Sequence, residues 1–162
     1  MDRLWAPWRR AYVTGEAREE GCLFCRLASE TDDAGNLVLA RGRLAFAVLN
    51  RYPYTNGHLM VAPVRHVALF SELEPEEAAA LTAGVAAAER AFAEAMSCGG
   101  VNGGWNVGRC AGAGVEGHLH LHVLPRWPGD VNFMPAVAGV KVVSESLESS
   151  YGRLLPFFEG VF

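Results

Sequence analysis

Hydrophobic residues recur along this chain with two periods. From Pro75, the residues Ala78, Leu81, Val85, Ala88, Phe92 and Met96 fall three or four apart, the spacing of one helix face. Proline suits a first helical position, and Glu74, Glu76 and Glu77 suit the positive end of a helix dipole. The pattern therefore predicts one long helix over 75–97, closed by Gly99-Gly100. Its single apolar stripe implies packing on a sheet rather than on a membrane or a partner. Other apolar runs are short. Residues 37–40 and 44–49 read as strands joined by a turn at Arg41-Gly42-Arg43, and 58–62, ended by Pro63, reads as a third. Residues 50–57, with Pro53, Asn56 and Gly57, read as a loop. Trp105-Asn106-Val107 predicts a further strand, and 108–117 a glycine-rich loop.

The second period is strictest at His118-Leu119-His120-Leu121-His122-Val123-Leu124-Pro125. Alternation on a strand sends the three imidazoles to one face and Leu119, Leu121 and Val123 to the other, toward a core. A short helix over 26–33, a loop over 126–140 and a C-terminal helix carrying Leu147, Tyr151, Leu154 and Leu155 complete the reading. The fold class expected is α+β: a twisted, mainly antiparallel sheet with one long helix packed on it and a short C-terminal helix.

Length and composition narrow the classes. The 162 residues are 51% hydrophobic, which suits one folded domain over 1–162, with an N-terminal arm at 1–21 and an extension at 128–162. Trp5 and Trp8 are placed to dock that arm on the body or on a second subunit. The net charge of -4 argues against a nucleic-acid backbone as partner. A local pocket can still oppose the global charge and hold a small anion. No stretch has the apolar length of a membrane span, and residues 1–10 lack a secretory pattern, so the compartment expected is the cytoplasm. Four cysteines in that setting read as thiols or metal ligands rather than disulfides.

Three of the five histidines in one row invite chemistry. A neutral imidazole is a good nucleophile toward phosphorus, and an anionic phosphate repels it less than it repels a carboxylate. The middle residue, His120, can attack while its neighbours hold phosphate oxygens or fix a tautomer. Ahead of it, Ala111-Gly112-Ala113-Gly114-Val115 has little side chain to offer, but its backbone N–H groups can cradle an anion. The stretch lacks a Gly-Lys-Ser/Thr ending and precedes a strand, so it is not a P-loop. Two other uses stay open: solvated strand histidines, and a three-histidine catalytic zinc. Cys22 and Cys25 form half of a four-ligand metal site or a thiol redox pair, with His58, His66 and the triad as candidate partners. Cys98 and Cys110 fit no such pattern and read as ordinary small side chains.

The run from His118 to Leu124 resembles the signature of the histidine triad (HIT) nucleotide hydrolases and transferases. Leu49-Asn50-Arg51, Pro53 and Gly57-His58-Leu59-Met60-Val61-Ala62-Pro63 are similar to that family's nucleotide-pocket strand, and Cys22-Leu23-Phe24-Cys25 to its N-terminal cysteine pair. Trp5-Ala6-Pro7-Trp8-Arg9, the loop at 111–114, Pro125-Arg126-Trp127 and residues 129–134 resemble the bacterial branch, which contains diadenosine tetraphosphate phosphorylases. The resemblance implies a homodimer and a dinucleoside polyphosphate substrate split with phosphate into ATP and ADP. A hydrolase, a phosphoramidase or a nucleotide-binding regulator without turnover is the alternative. By resemblance, His120 matches the nucleophile that becomes nucleotidylated, His122 the contact to the scissile phosphate, His118 the orienting residue and His58 the fourth family histidine. Asn50 matches a ribose contact, and Asn106 with Gly112, Ala113, Gly114 and Val115 the phosphate loop. In zinc-containing members the positions matching Cys22, Cys25, His66 and His118 hold a structural zinc. One departure stands out: Gly114, Val115, Glu116 and Gly117 supply no hydroxyl or amide to aid the leaving group, and Glu116 is expected to face solvent.

Overall fold

In chain order the elements are α1 (Leu23–Ser29), α2 (Asp33–Asn36), β1 (Val38–Arg41), β2 (Ala45–Leu49), β3 (Leu59–Pro63), α3 (Pro75–Met96), β4 (Gly100–Gly104), β5 (Leu121–Arg126) and α4 (Leu147–Leu154). This computed structural model describes residues 21–130 and 143–162, so Trp5, Trp8 and most of the 126–140 loop lie outside the described residues. The five strands form one sheet in the order β1-β2-β3-β5-β4. Every neighbouring pair is antiparallel. The α+β class expected from the sequence is the one found.

Periodicity placed α3 correctly because several independent signals agree there. Pro75 opens it, and Glu77 reaches back to accept from the Glu74 N–H at 2.9 Å. Leu81, Ala88, Phe92 and Met96 are buried as expected, while Ala78 and Val85 are half-buried. The contact stripe also takes in Gly84, Ala87 and Ala91. Gly84 allows the close approach: a Cβ there would lie 2.7 Å from Val61 Cγ1 on β3.

The sheet centre is covered on both faces, as the wholly buried β2 and β3 show. Ala45, Ala47, Leu49, Leu59, Val61 and Val123 join α3 and the C-terminal segment in one core. Phe46, Val48, Met60 and Ala62 form a second core with Phe24 and Leu27 of α1. This second face carries the histidines, because Met60 is the cross-strand partner of His122.

Three elements differ from expectation. The strand expected at 105–107 lies at Gly100–Gly104 instead. Helix α3 ends at Met96 with Ser97 left-handed (φ 50°), and the chain turns straight into pairing with β5. Glycines at 100, 103 and 104 have little strand propensity, so the partner strand imposes the ladder. The first helix spans Leu23–Ser29 rather than 26–33, so the cysteine pair straddles its first turn. Finally, β5 begins at Leu121, so the first two triad histidines precede the regular ladder. Their alternation survives because the Leu119 N–H donates to the Val67 carbonyl at 2.7 Å.

Candidate active site and metal cluster

The sheet register and α1 line five imidazoles up in a file. Ring centroids are 5.1 Å apart for His66 and His118, 4.9 Å for His120 and His122, and 5.1 Å for His122 and His58. Between His118 and His120 lies Phe24, whose ring is 5.3 Å from the first and 4.6 Å from the second. His58, His118 and His120 are at most 5% exposed. The expected projection of all three triad rings to one side of the chain is what the fold shows.

Hydrogen bonds assign the protons. The Nδ1 of His120 is 2.8 Å from the His118 carbonyl, which can only accept. His120 is therefore the Nδ1–H tautomer, and its Nε2 keeps the lone pair. Burial pushes the His120 imidazole below its ordinary range, so this nitrogen stays unprotonated near neutrality. His58 is fixed in the opposite sense. The Tyr54 backbone N–H donates to His58 Nδ1 at 3.2 Å, and the Asn50 amide group lies at the same distance. Its Nε2–H then donates to His122 Nδ1 at 2.9 Å. That leaves His122 with Nε2–H as its donor. Burial, with His120 adding to it, pushes the His122 imidazole down to about 4. A lone pair on one ring and a donor on the next is the pairing that attack at a phosphoryl group uses.

The glycine-rich loop divides. The N–H groups of Ala111, Gly112 and Ala113 are taken by the Gly108 and Arg109 carbonyls. Those of Gly114 and Val115 have no acceptor among the described residues. Arg109 pairs with Glu116 across the loop at 2.9 Å, and the Glu116 side chain is 44% exposed. Glu116 thus faces solvent, as expected. Asn106 follows β4, beyond the pairing of Gly104 with His122.

A second constellation adjoins the first. One ligand atom each from Cys22, Cys25, His66 and His118 lies within 4.8 Å of the others. His118 Nδ1 is 3.3 Å from Cys22 Sγ and 3.6 Å from Cys25 Sγ, and His66 Nδ1 is 3.1 Å from Cys25 Sγ. The Nε2–H of His118 donates to the Pro63 carbonyl at 2.9 Å, which turns the Nδ1 lone pair toward the sulfurs. Two thiolates and two imidazoles suit a closed tetrahedral zinc site. His58 takes no part. No other group of three or more potential ligands converges among the described residues, so the three-histidine metal reading has no counterpart there. The four cysteines are unbridged, with Cys110 exposed and Cys98 half-buried.

Sequence reasoning missed three contributors. Phe24 was visible only as a residue between two cysteines. Tyr54 sets the His58 tautomer through its backbone, which no side-chain pattern reveals. Arg65 binds Glu77 of α3 through both carboxylate oxygens, at 2.9 and 2.6 Å, and so ties the residue before His66 to the helix.

Comparison with known proteins agrees with this geometry. The profile of the HIT domain family matches residues 33–129. An AP-4-A phosphorylase of Mycobacterium tuberculosis is 38% identical over 158 residues, covering 93% of this chain and 80% of that protein. An asymmetrical bis(5'-nucleosyl)-tetraphosphatase of Schizosaccharomyces pombe is 32% identical over 96 residues, 59% of this chain and 52% of that one. Among solved structures, a Zn-bound histidine triad family protein from Mycobacterium smegmatis superposes with a TM-score of 0.67 at 28% identity, covering 85% of this chain and 92% of that one. With its histidine file, its sheet order and these relatives agreeing, the chain belongs to the HIT domain family.

Proposed function

We propose that this chain cleaves a phosphoanhydride of diadenosine tetraphosphate in two displacements at His120, with inorganic phosphate as second acceptor. The observation that carries the reading is the His120 tautomer: Nδ1–H is spent on the His118 carbonyl at 2.8 Å, and Nε2 is left to attack. In the first step a bond forms between Nε2 and the α-phosphorus, and the bond from that phosphorus to the bridging oxygen breaks. ATP departs with the electron pair. His122 Nε2–H and the amides of Gly114 and Val115 hold the charge on the phosphoryl oxygens. In the second step a phosphate oxygen attacks the adenylyl-histidine, releasing ADP and restoring the imidazole. Asn50 contacts the ribose and also supports His58 at 3.2 Å. Asn106, Gly112 and Ala113 complete the phosphate loop.

The 38% identity to an AP-4-A phosphorylase supports phosphate as acceptor. The reaction with water is the second reading, supported by the similarity to a tetraphosphatase. Product analysis after incubation with diadenosine tetraphosphate separates them. ATP plus ADP, formed only with phosphate present, is the outcome expected. AMP plus ATP without phosphate selects the hydrolase.

The cluster at Cys22, Cys25, His66 and His118 is proposed to hold a structural zinc, whose contribution is to cross-link α1 to the segments that follow β3 and precede β5. A homodimer fits β4, which is an edge of the sheet, with exposed Leu69, Phe70, Trp105 and Val107 as candidate apolar contacts. No helix among the described residues is long and apolar enough to cross a membrane. The cytoplasm is the compartment proposed.

A further inference from the structure

We infer that Phe24 is a positioning residue for His120: its ring is the wall that holds the nucleophilic imidazole in the plane of attack. The inference rests on the assignment of His120 as nucleophile. A ring held by one hydrogen bond can still pivot about that bond. The Nδ1–H bond to the His118 carbonyl, 2.8 Å, fixes one edge of His120 and leaves its tilt undetermined. Phe24 supplies the missing constraint. Its ring stacks on the His120 face at 4.6 Å between centroids, with planes 29° apart. Offset stacking of this kind has a definite geometry. On the next side the His122 ring stands edge-on at 76°. Tilt toward Phe24 is blocked, and the Nε2 edge is left as the approach to phosphorus.

The support behind Phe24 is equally specific. The residue is 1% exposed and rests on Phe46 at 6.3 Å within the α1 core. The first turn of α1 around it is tied down, since Cys22 Sγ lies 3.3 Å from His118 Nδ1 and Cys25 Sγ 3.1 Å from His66 Nδ1. A phenyl ring at this position also excludes water from one face of the imidazole. It has no polar atom, so it takes part in no proton transfer and is not a catalytic residue.

Small errors in aim are expensive at a reacting centre: a displacement of about 1 Å can lower a rate about a hundredfold. The test uses Phe24→Met, which keeps volume but removes the flat face, and Phe24→Tyr, which keeps the face. Val38→Ala is the control, because it loosens the same core without a ring contact to His120 or Phe24. Rapid-quench kinetics with diadenosine tetraphosphate measures formation of the adenylyl-histidine, and steady-state kinetics gives KM. The expected result for Phe24→Met is a rate about 10- to 100-fold lower with KM within about threefold. Phe24→Tyr stays within about threefold of the unaltered protein, and Val38→Ala melts earlier at an unaltered rate. An unaltered rate in Phe24→Met, an equal loss in Val38→Ala, or a change confined to KM would each overturn the proposal. If Phe24→Met does not fold, NMR of the unaltered protein decides: the stacked geometry requires a ring-current displacement of the His120 Hδ2 resonance, and a resonance at its free-histidine position refutes it. Absence of any adenylyl-histidine in the unaltered protein faults the nucleophile assignment instead, which distinguishes the two failures.

Discussion

The Nε2 of His58 lies 2.9 Å from the Nδ1 of His122, and the Tyr54 backbone N–H on the far side of His58 determines which of them donates. A peptide N–H cannot accept, so His58 must, and its remaining proton points at His122. The order Tyr54 to His58 to His122 thereby delivers a donor to the proposed phosphate position without any charged group. Replacing His58 by Phe keeps a ring but removes both nitrogens. The expected effect is a 10- to 100-fold lower kcat, about that of losing an orienting partner elsewhere. Steady-state kinetics on the folded variant measures it, and an unchanged kcat would remove His58 from the relay.

The His122 imidazole, held near 4 by burial and by His120, gives stability a defined pH dependence. Its pKa is lower folded than unfolded, so between about 6.5 and about 4 the unfolded chain binds more protons. The contribution is complete above 6.5 and is lost as pH falls toward 4. Melting temperatures measured down that range should drop, and His122→Gln should flatten the slope. A slope untouched by the substitution would contradict the assignment.

Zinc should be bound at about one ion per chain through the two cysteines, His66 and His118. Cys25→Ser is expected to lower the metal content measured by atomic emission and to lower the melting temperature. His66→Ala should do the same. Full metal content in both variants would show that the convergence of these four residues has another purpose.

Arg65 and Glu77 join the segment carrying His66 to the start of α3. Arg65, assisted by the Glu74 backbone N–H, holds the Glu77 carboxylate down to about 2. This contribution is complete above about 4.5 and is lost as pH falls toward 2. Glu77 is 4% exposed, but the Arg65 side chain is 47% exposed, so solvent screens the pair. Glu77→Gln should cost about 1–2 kcal/mol of stability in urea unfolding, most of it from the lost charge-assisted bonds to the buried carboxylate. A cost near zero would show that the pair merely decorates the surface.

Local pattern was enough where local and tertiary preferences agree. The α3 stripe and the alternation through Leu119, His120 and Val123 could be read directly, because each residue's side is set by helix or strand period. The cysteine pair was legible as half a metal site. Its completion depends on the segment after β3 closing over His118, through the Leu119-to-Val67 hydrogen bond of 2.7 Å, a contact that spacing does not encode. β4 was misplaced because its glycines carry no strand signal. Glu77 looked like a residue for the helix dipole, and only the tertiary position of Arg65 makes it a buried anchor. His58 could be assigned a role through family resemblance alone, since its partner follows from the register that sets Met60 opposite His122.

The most direct test of the account is to quench a reaction of the protein with diadenosine tetraphosphate in alkali and locate the adenylyl group by peptide mass spectrometry. The account predicts an AMP adduct on His120, abolished in His120→Ala and discharged as ADP when phosphate is added. An adduct on another residue, or full turnover by His120→Ala, would contradict it.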